Sequence, residues 1–182
     1  MTAPVDLITG RNGVSMTRIA LATCVALGLA CVASPSEAQT RFAISYDFAT
    51  LRHGAGNVDG VAVDADTRVW RAVRFAALAS YTSGASKETF IDVGASRTFV
   101  GVGPRLRVGS GRVEAFAHAL LGALRGAADV RVFGGSIGGS RTTFGERYGG
   151  GVDVGLGERW ITRIGVDYDG ATHLTIGFGA RF

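Results

Sequence analysis

The chain has 182 residues, of which 47% are hydrophobic and 19% are charged. This composition fits one folded domain and excludes a disordered chain. The formal charge of +4 is carried almost entirely by arginine, since Lys87 is the only lysine. Because the arginines are spread singly rather than clustered, we expect no nucleic-acid partner. No apolar run of about 18 residues lies beyond the N-terminus, which excludes a multi-span helical membrane protein.

Residues 1–38 have the pattern of a secretory signal peptide. Met16-Thr17-Arg18 supplies a positive start, and Met16 is a possible true start of the chain. Ile19–Val32 forms the apolar segment, and Ser36-Glu37-Ala38 is a small-x-small cleavage site. The sequence therefore predicts export and a mature domain over residues 39–182. A membrane-anchoring helix and a lipoprotein signal at Cys31 are the alternatives.

Both cysteines, Cys24 and Cys31, lie in the apolar segment of the signal peptide. Cleavage would leave no cysteine, which excludes disulfides, thiol catalysis and cysteine-ligated metal. The three histidines do not share a metal-ligand spacing. The glycine-rich stretch 134–141 lacks the lysine of a phosphate-binding loop. We therefore expect neither a metal nor a cofactor.

Apolar and polar residues alternate along the mature chain, which is typical of β-strands with one apolar face. In the last segment Leu174, Ile176 and Phe178 face one way, while Thr175 and Arg181 face the other. A slip of one residue would exchange the two faces. This alternation predicts eight strands, at residues 41–51, 58–66, 69–81, 97–108, 112–126, 144–156, 160–169 and 172–182.

The predicted connections alternate between short and long. Tight turns are expected at Asp66-Thr67-Arg68, Gly109-Ser110-Gly111 and Gly157-Glu158-Arg159. Longer loops are expected at His53–Asn57, Thr82–Ser96 and Ala127–Thr143, with a short fourth loop at Asp169-Gly170-Ala171. This layout predicts an all-β fold, an eight-stranded antiparallel up-and-down transmembrane β-barrel. A soluble barrel of the lipocalin type is the main alternative, because alternation alone does not say which face is buried.

The predicted export of the chain, the positions of its aromatic residues and the phenylalanine that ends the last apolar face favour the membrane barrel. Aromatic residues lie near strand ends, as in an interfacial belt, at Trp70, Tyr81, Trp160, Tyr168 and Phe182. The polar faces would then line a lumen just wide enough to be filled by side chains. Unpaired charges would be costly there, so we expect a paired network that plugs the lumen. The predicted lumen charge network comprises Asp47, Arg74, Arg105, Arg107, Glu114, His118, Arg147, Asp153, Arg163, Asp167 and Arg181.

Three further segments, 102–106, 111–120 and 149–154, together with the terminal strand Leu174–Phe182, carry a family resemblance. On these residues the sequence resembles the small eight-stranded outer-membrane β-barrels, the OmpA-like and OmpX-like transmembrane domains. The resemblance implies an outer-membrane location, in contact with membrane lipid and lipopolysaccharide. It also implies that the closing strand is a signal read by the barrel-assembly machinery, with Leu174, Ile176, Phe178 and Phe182 as the signal residues.

The expected function is that of an integral outer-membrane β-barrel protein with a structural or surface-interaction role, monomeric and not an enzyme. The loops 82–96 and 127–143 are the expected external binding surface, where Arg131 and Arg141 could meet lipopolysaccharide phosphates. A narrow porin-like channel with a mild preference for anions is the alternative. A lipid-modifying enzyme is more remote, because no serine is placed beside a histidine with an acid behind it.

Overall fold

A computed structural model describes residues 40–50, 57–88, 91–110, 112–132 and 135–182. The predicted signal peptide lies outside the described residues. Among those residues, no helix is long and apolar enough to cross a membrane.

The described chain folds into eight strands, each paired antiparallel with its neighbours in sequence. The first and last strands also pair, so the sheet closes into a barrel. The predicted all-β, eight-stranded, up-and-down architecture is therefore confirmed. The strands are β1 (Thr40–Thr50), β2 (Asn57–Trp70), β3 (Val73–Glu88), β4 (Ile91–Ser110), β5 (Val113–Val132), β6 (Gly135–Leu156), β7 (Trp160–Tyr168) and β8 (Thr172–Arg181).

The seam between β1 and β8 continues to the last residue of the chain. The backbone N–H of Phe182 donates to the carbonyl of Thr40 at 2.9 Å, and that of Thr40 donates to the carbonyl of Phe182 at 3.2 Å. Both ends of the barrel domain therefore meet beside the three turns that join β2 to β3, β4 to β5 and β6 to β7. We call this the turn end, and the opposite end the long-strand end.

Side chains alternate between the lumen and the outer surface. On β1, Ala43 and Asp47 are fully buried, whereas Ile44 and Tyr46 are each 53% exposed. The same alternation on the other strands gives the barrel a continuous apolar outer surface, far larger than the patches that soluble monomers expose. A lipocalin-type barrel would bury its apolar face, so that alternative is wrong.

Aromatic side chains border this apolar surface. At the turn end, Trp160 stacks on Phe178 with their ring centroids 5.1 Å apart. Toward the long-strand end, Tyr148 packs against Tyr168 at 5.4 Å. Aromatic rings at both borders of an apolar band are typical of membrane-spanning barrels.

One predicted turn is wrong. Asp66, Thr67 and Arg68 belong to β2, and the chain reverses at Arg71-Ala72 instead. The register shifts between Arg68 and Trp70, which breaks the alternation just before the turn. The polar sequence resembles a turn, but Asp66 is polar because it faces the charged lumen. The predicted turn at Gly157–Arg159 and the bend at Asp169–Ala171 are present.

The two long loops predicted at Thr82–Ser96 and Ala127–Thr143 are also wrong. Almost all of these residues lie in paired strands, since β3 pairs with β4, and β5 with β6, up to their tips. The strands project past the row Thr82–Arg97–Gly126–Arg141, in which neighbouring residues pair. We call the projecting part, residues 83–88, 91–96, 127–132 and 135–140, the outer sheet.

Candidate functional site

Three arginines converge on Asp66 inside the barrel near its turn end. Asp66 is 1% exposed and is presented by β2. Its carboxylate accepts hydrogen bonds from Arg74 on β3, from Arg105 Nη1 at 2.8 Å and from Arg107 Nη2 at 2.7 Å. Arg105 and Arg107 reach the same carboxylate because residues two apart on a strand share a face.

Two further carboxylates, those of Asp153 and Asp64, extend the network across the lumen. Asp153 on β6 accepts from Arg107 Nη1 at 2.5 Å and from Arg163 Nε at 2.7 Å. Asp64 on β2 accepts from Arg105 Nη1 at 2.7 Å and also from Arg163 on β7. Charged hydrogen bonds therefore connect strands on opposite walls of the barrel.

Arg147 organises the next layer toward the long-strand end. It is fully buried on β6. Its guanidinium donates to Asp167 Oδ2 at 3.1 Å, to Ser80 Oγ at 2.8 Å and to Asp47 Oδ2 at 3.3 Å. His118 Nε2 lies 3.2 Å from the other oxygen of Asp167. Each buried charge in this layer thus has a partner of opposite sign, as burial requires.

His173 and Asp169 close the lumen at the long-strand end. The His173 ring lies between Asp47 and Asp169, with each of its nitrogens 2.9 Å from a carboxylate oxygen. Arg97 Nη2 is 2.8 Å from Asp169 Oδ1, which ties the β7–β8 bend to β4. Burial favours the neutral form of Asp169, but the hydrogen bond with His173 and the charge of Arg97 hold its pKa below the usual range.

Arg41, Glu114 and Arg181 cap the network at the turn end. Arg41 Nη2 donates to Glu114 at 2.8 Å. Arg181 lies 3.8 Å from the same carboxylate and donates to the carbonyls of Glu158 and Gly157 at 2.6 and 2.8 Å. The β6–β7 turn is therefore held by a side chain from the last strand.

An aromatic ring fills the lumen between these layers. The guanidinium carbons of Arg105, Arg107 and Arg163 lie 4.9, 5.2 and 4.8 Å from the centre of the Phe116 ring. Cation–π contacts between guanidinium groups and an aromatic ring are attractive, so the Phe116 ring helps to stabilise these buried arginines. Phe116 was absent from the predicted network, although it is in phase with Glu114 and His118 on β5.

The structure places all of the predicted lumen residues inside the barrel or at its rim, in contact with one another. They are Asp47, Arg74, Arg105, Arg107, Glu114, His118, Arg147, Asp153, Arg163, Asp167 and Arg181. Arg41, Asp64 and Asp66 also belong to the network and were not predicted. Arg41 has the same parity as Ser45 and Asp47, so the alternation of β1 could have identified it.

The buried His173 and Ser80 side chains are engaged by charged neighbours inside the barrel. The His173 ring nitrogens are both engaged by carboxylates, and the Ser80 hydroxyl accepts from Arg147. In that part of the chain, no group of histidines and carboxylates is arranged to hold a metal ion.

The outer sheet projects at the long-strand end. A cavity of about 480 Å³ lies where it joins the barrel wall, lined by Arg97, Gly126 and Arg141 among others. Arg141 is exposed, and Arg131 is 3.7 Å from Asp129 in an exposed ion pair. Arg131 and Arg141 therefore lie on strands, not on loops.

The outer sheet ends in an open edge along β6. Pairing with β7 begins only at Tyr148, so no described strand pairs with that side of Gly135–Arg147. The N–H of Gly155 donates to the carbonyl of Arg112, and the register between β5 and β6 does not shift up to Gly135. Since alternate residues of an antiparallel strand point to the same neighbour, even-numbered residues direct their backbone groups to the open side. These are Ser136, Gly138, Ser140, Thr142, Phe144 and Glu146.

The residues of the predicted assembly signal lie on the closing strand. Leu174, Ile176 and Phe178 point to the outer surface, and Phe182 follows the strand with its side chain exposed. Their reading by the assembly machinery stays a prediction.

No family model matches the chain, and no curated protein sequence is detectably similar to it. Solved structures are similar in fold. The Yersinia pestis attachment invasion locus protein Ail, crystallised with the heparin analogue sucrose octasulfate, superposes with a TM-score of 0.64 at 21% identity. The match covers 81% of this chain and 100% of Ail.

Two further structures have the same architecture. Neisserial surface protein A (NspA) matches at a TM-score of 0.53 and 17% identity, over 80% of this chain and 96% of NspA. The Pseudomonas aeruginosa outer membrane protein OprG matches at 0.58 and 10% identity, over 80% and 96%. Identities this low show a shared fold and not a shared role. The chain has the fold of the small eight-stranded outer-membrane β-barrels, as its alternation and terminal strand predict.

Proposed function

We propose that the protein is an integral outer-membrane protein whose barrel is a closed anchor and whose outer sheet binds a partner at the cell surface. The apolar outer surface and its aromatic borders support the membrane placement. Short turns face the periplasm in proteins of this architecture, so the outer sheet would project outside the cell. Barrel-assembly machinery would read the closing strand, and lipopolysaccharide would surround the base of the outer sheet near Arg141.

The interior network supports a closed lumen. Ion pairs at several levels join opposite walls, and Phe116 and Phe99 fill space between them. An eight-stranded barrel has little room beyond its own side chains. A channel role would need these pairs to open, so we place the function outside the lumen. Catalysis is not part of the proposal.

The open β6 edge is the observation that carries the surface-binding role. An unpaired edge presents a row of backbone donors and acceptors, which most proteins block with proline, lysine, bulges or short strands. The segment Gly135–Arg147 contains no proline or lysine and is rich in glycine, serine and threonine. An edge of this length is suited to adding a strand from another protein, with main-chain hydrogen bonds supplying the affinity.

The partner would be an extended protein segment, recognised more by its backbone than by its sequence. The edge side chains from Ser136 to Thr142 that accompany the open backbone groups are small, so many partner sequences would fit beside them. Ail, which shares the fold, is named as an attachment protein. This supports an adhesive role for a barrel of this shape.

Proline at the open edge tests the proposal. Ser140→Pro with Thr142→Pro removes two N–H groups that point away from β5, and leaves the β5–β6 hydrogen bonds in place. At about 1 kcal/mol for each lost hydrogen bond, binding of an added strand should weaken roughly thirty-fold. The measurement is the affinity of peptides selected from a phage-displayed random library on the barrel in nanodiscs.

The matched control is Ser140→Ala with Thr142→Ala, which removes the same side-chain groups and keeps both N–H donors. The alanine variant should bind the selected peptides as the native protein does. A heat-dependent shift in gel mobility checks that both variants fold. Equal binding by the proline and alanine variants would exclude strand addition at this edge.

A further inference from the structure

We propose that the turn end of the barrel binds anionic phospholipid headgroups through arginines in its turns. This inference rests on the membrane placement proposed above, and it concerns the end of the barrel opposite to the outer sheet. Its ligand is the lipid of the periplasmic leaflet, not an external partner.

Each of the three turns carries an exposed arginine. Arg71 lies between β2 and β3, Arg112 between β4 and β5, and Arg159 between β6 and β7. Arg68 is exposed beside the first turn and donates its Nε hydrogen to the carbonyl of Arg71 at 2.9 Å. Among the described turn residues, Glu158 is the single carboxylate. The turn end is therefore strongly cationic.

The two tryptophans of the chain place these arginines at headgroup level. Trp70 precedes Arg71, Trp160 follows Arg159, and their side chains are 63% and 52% exposed on the outer surface. The guanidinium carbon of Arg71 lies 5.1 Å from the centre of the Trp70 ring. Tryptophan side chains in membrane proteins lie at the headgroup level. Arginine beside them can hold a lipid phosphate through two parallel N–H groups.

The backbone at Arg71 is a second, independent observation. Its φ is 42°, and it is the first of the two residues between the paired Trp70 and Val73. Positive φ at this place in a hairpin is the usual role of glycine, because a side chain strains the backbone there. Turn geometry therefore does not favour an arginine at this position, which is consistent with a role for its side chain at the membrane surface.

The other end of the barrel differs in its charge. On the outer sheet, cations alternate with carboxylates, as in the exposed pair of Arg131 with Asp129. Carboxylates are scarcer at the turn end, where Glu158 is the single one among the described turn residues. Anionic phospholipid is the ligand that complements a cationic ring at the depth of the two tryptophans, and the attraction per arginine near such a surface corresponds to roughly five-fold in affinity.

The tryptophans also supply the measurement, because both lie beside the proposed site. The protein is refolded into vesicles of brominated phosphatidylcholine, which quenches tryptophan fluorescence, and phosphatidylglycerol is added in increasing proportion. We expect phosphatidylglycerol to displace the brominated lipid several-fold more effectively than ordinary phosphatidylcholine does. High salt should reduce this preference, since it is electrostatic.

Arg71→Gln with Arg159→Gln should bring the preference close to one. Arg71→Gly is a second variant, which relieves the backbone strain and should fold at least as well while losing its share of the preference. Arg125→Gln at the long-strand end is the control and should leave the preference unchanged. A native preference near one, or a preference that survives in Arg71→Gln with Arg159→Gln, would overturn the inference. If brominated phosphatidylcholine does not quench at all, the membrane placement itself is wrong.

Discussion

Asp66 is the residue on which the interior depends most directly, because three arginines share its carboxylate. Asp66→Asn keeps the shape of the side chain and removes its charge. Breaking a buried ion pair from one side typically costs about 3–5 kcal/mol, since the remaining charge is left unpaired. We expect a loss of this size in the free energy of unfolding, measured by urea titration in lipid vesicles.

Asp129→Asn is the control for Asp66→Asn. Its ion pair with Arg131 is exposed and 3.7 Å long, and such pairs contribute about 0–1 kcal/mol. Similar losses in both variants would show that the interior pairs do not stabilise the barrel more than surface pairs do.

Individual lumen residues were predictable where the alternation is regular. Arg105 and Arg107, or Arg163 and Asp167, lie two or four apart between apolar neighbours, so their inward direction follows from strand geometry. Asp66 was not predictable in this way. It stands in the polar run Asp-Thr-Arg beside a register shift, and only its contacts with arginines of β3 and β4 distinguish a lumen carboxylate from a turn residue.

At the level of elements, the barrel wall and the outer sheet are made from the same strands but perform separate tasks. The strands β4 and β5 have 20 residues each, whereas β7 has 9 and β8 has 10. About 10 residues suffice to cross a membrane. The outer-sheet parts of β4 and β5, residues 91–96 and 127–132, extend about 20 Å along the strand direction at about 3.4 Å per residue.

Removing the outer sheet should therefore leave the barrel intact. Residues 84–95 and 128–139 can each be replaced by Asn-Gly, since Ser83 pairs with Ser96 and Ala127 with Ser140. The shortened chain should fold and keep its heat-dependent gel mobility, but bind the selected peptides more weakly, since it loses Ser136 and Gly138 from the open edge and keeps Ser140 and Thr142. Deleting Val100-Gly101 within the wall of β4 is the comparison, and it should prevent closure because it breaks the register. Failure of the shortened chain to fold would mean that the outer sheet nucleates the barrel.

The outer sheet was predicted as two loops because its sequence lacks the signal used to find strands. Both of its faces meet solvent, so apolar residues have no reason to alternate, and glycine, serine and alanine dominate. Backbone hydrogen bonding continues regardless of the side chains. The strand pairing of the outer sheet continues the register of the same strands in the barrel wall. A search for alternation along one segment does not detect that register.

For the whole molecule, the joined ion pairs predict a barrel that does not conduct. Asp64 and Arg163 link β2 to β7, and Arg147 contacts three other strands at a second level. Ions would have to displace these partners at each layer. Planar-bilayer recording of the refolded barrel should show no single-channel steps, under conditions in which a general porin gives clear ones. Reproducible steps would favour the narrow-channel alternative.

The overall architecture was the most predictable feature. Eight alternating segments joined by alternately short and longer connections allow few topologies other than an up-and-down barrel, because neighbours in sequence tend to pair with each other. The proposed protein partner and the proposed lipid ligand could not be predicted from the sequence in this way. They depend on an open strand edge and on a ring of turn residues, which exist only once the strands are in register.

The pairing of Thr40 with Phe182 also has a consequence for how the protein is made. The first strand has no second neighbour until β8 has been synthesised, so the ring cannot close before all eight strands exist. Contacts between such distant parts of a chain carry the largest entropic barrier and make folding slow. Until then the chain exposes two unpaired edges and an apolar face, a species prone to aggregation. We therefore expect a chain that lacks β8 to aggregate or be degraded rather than to assemble.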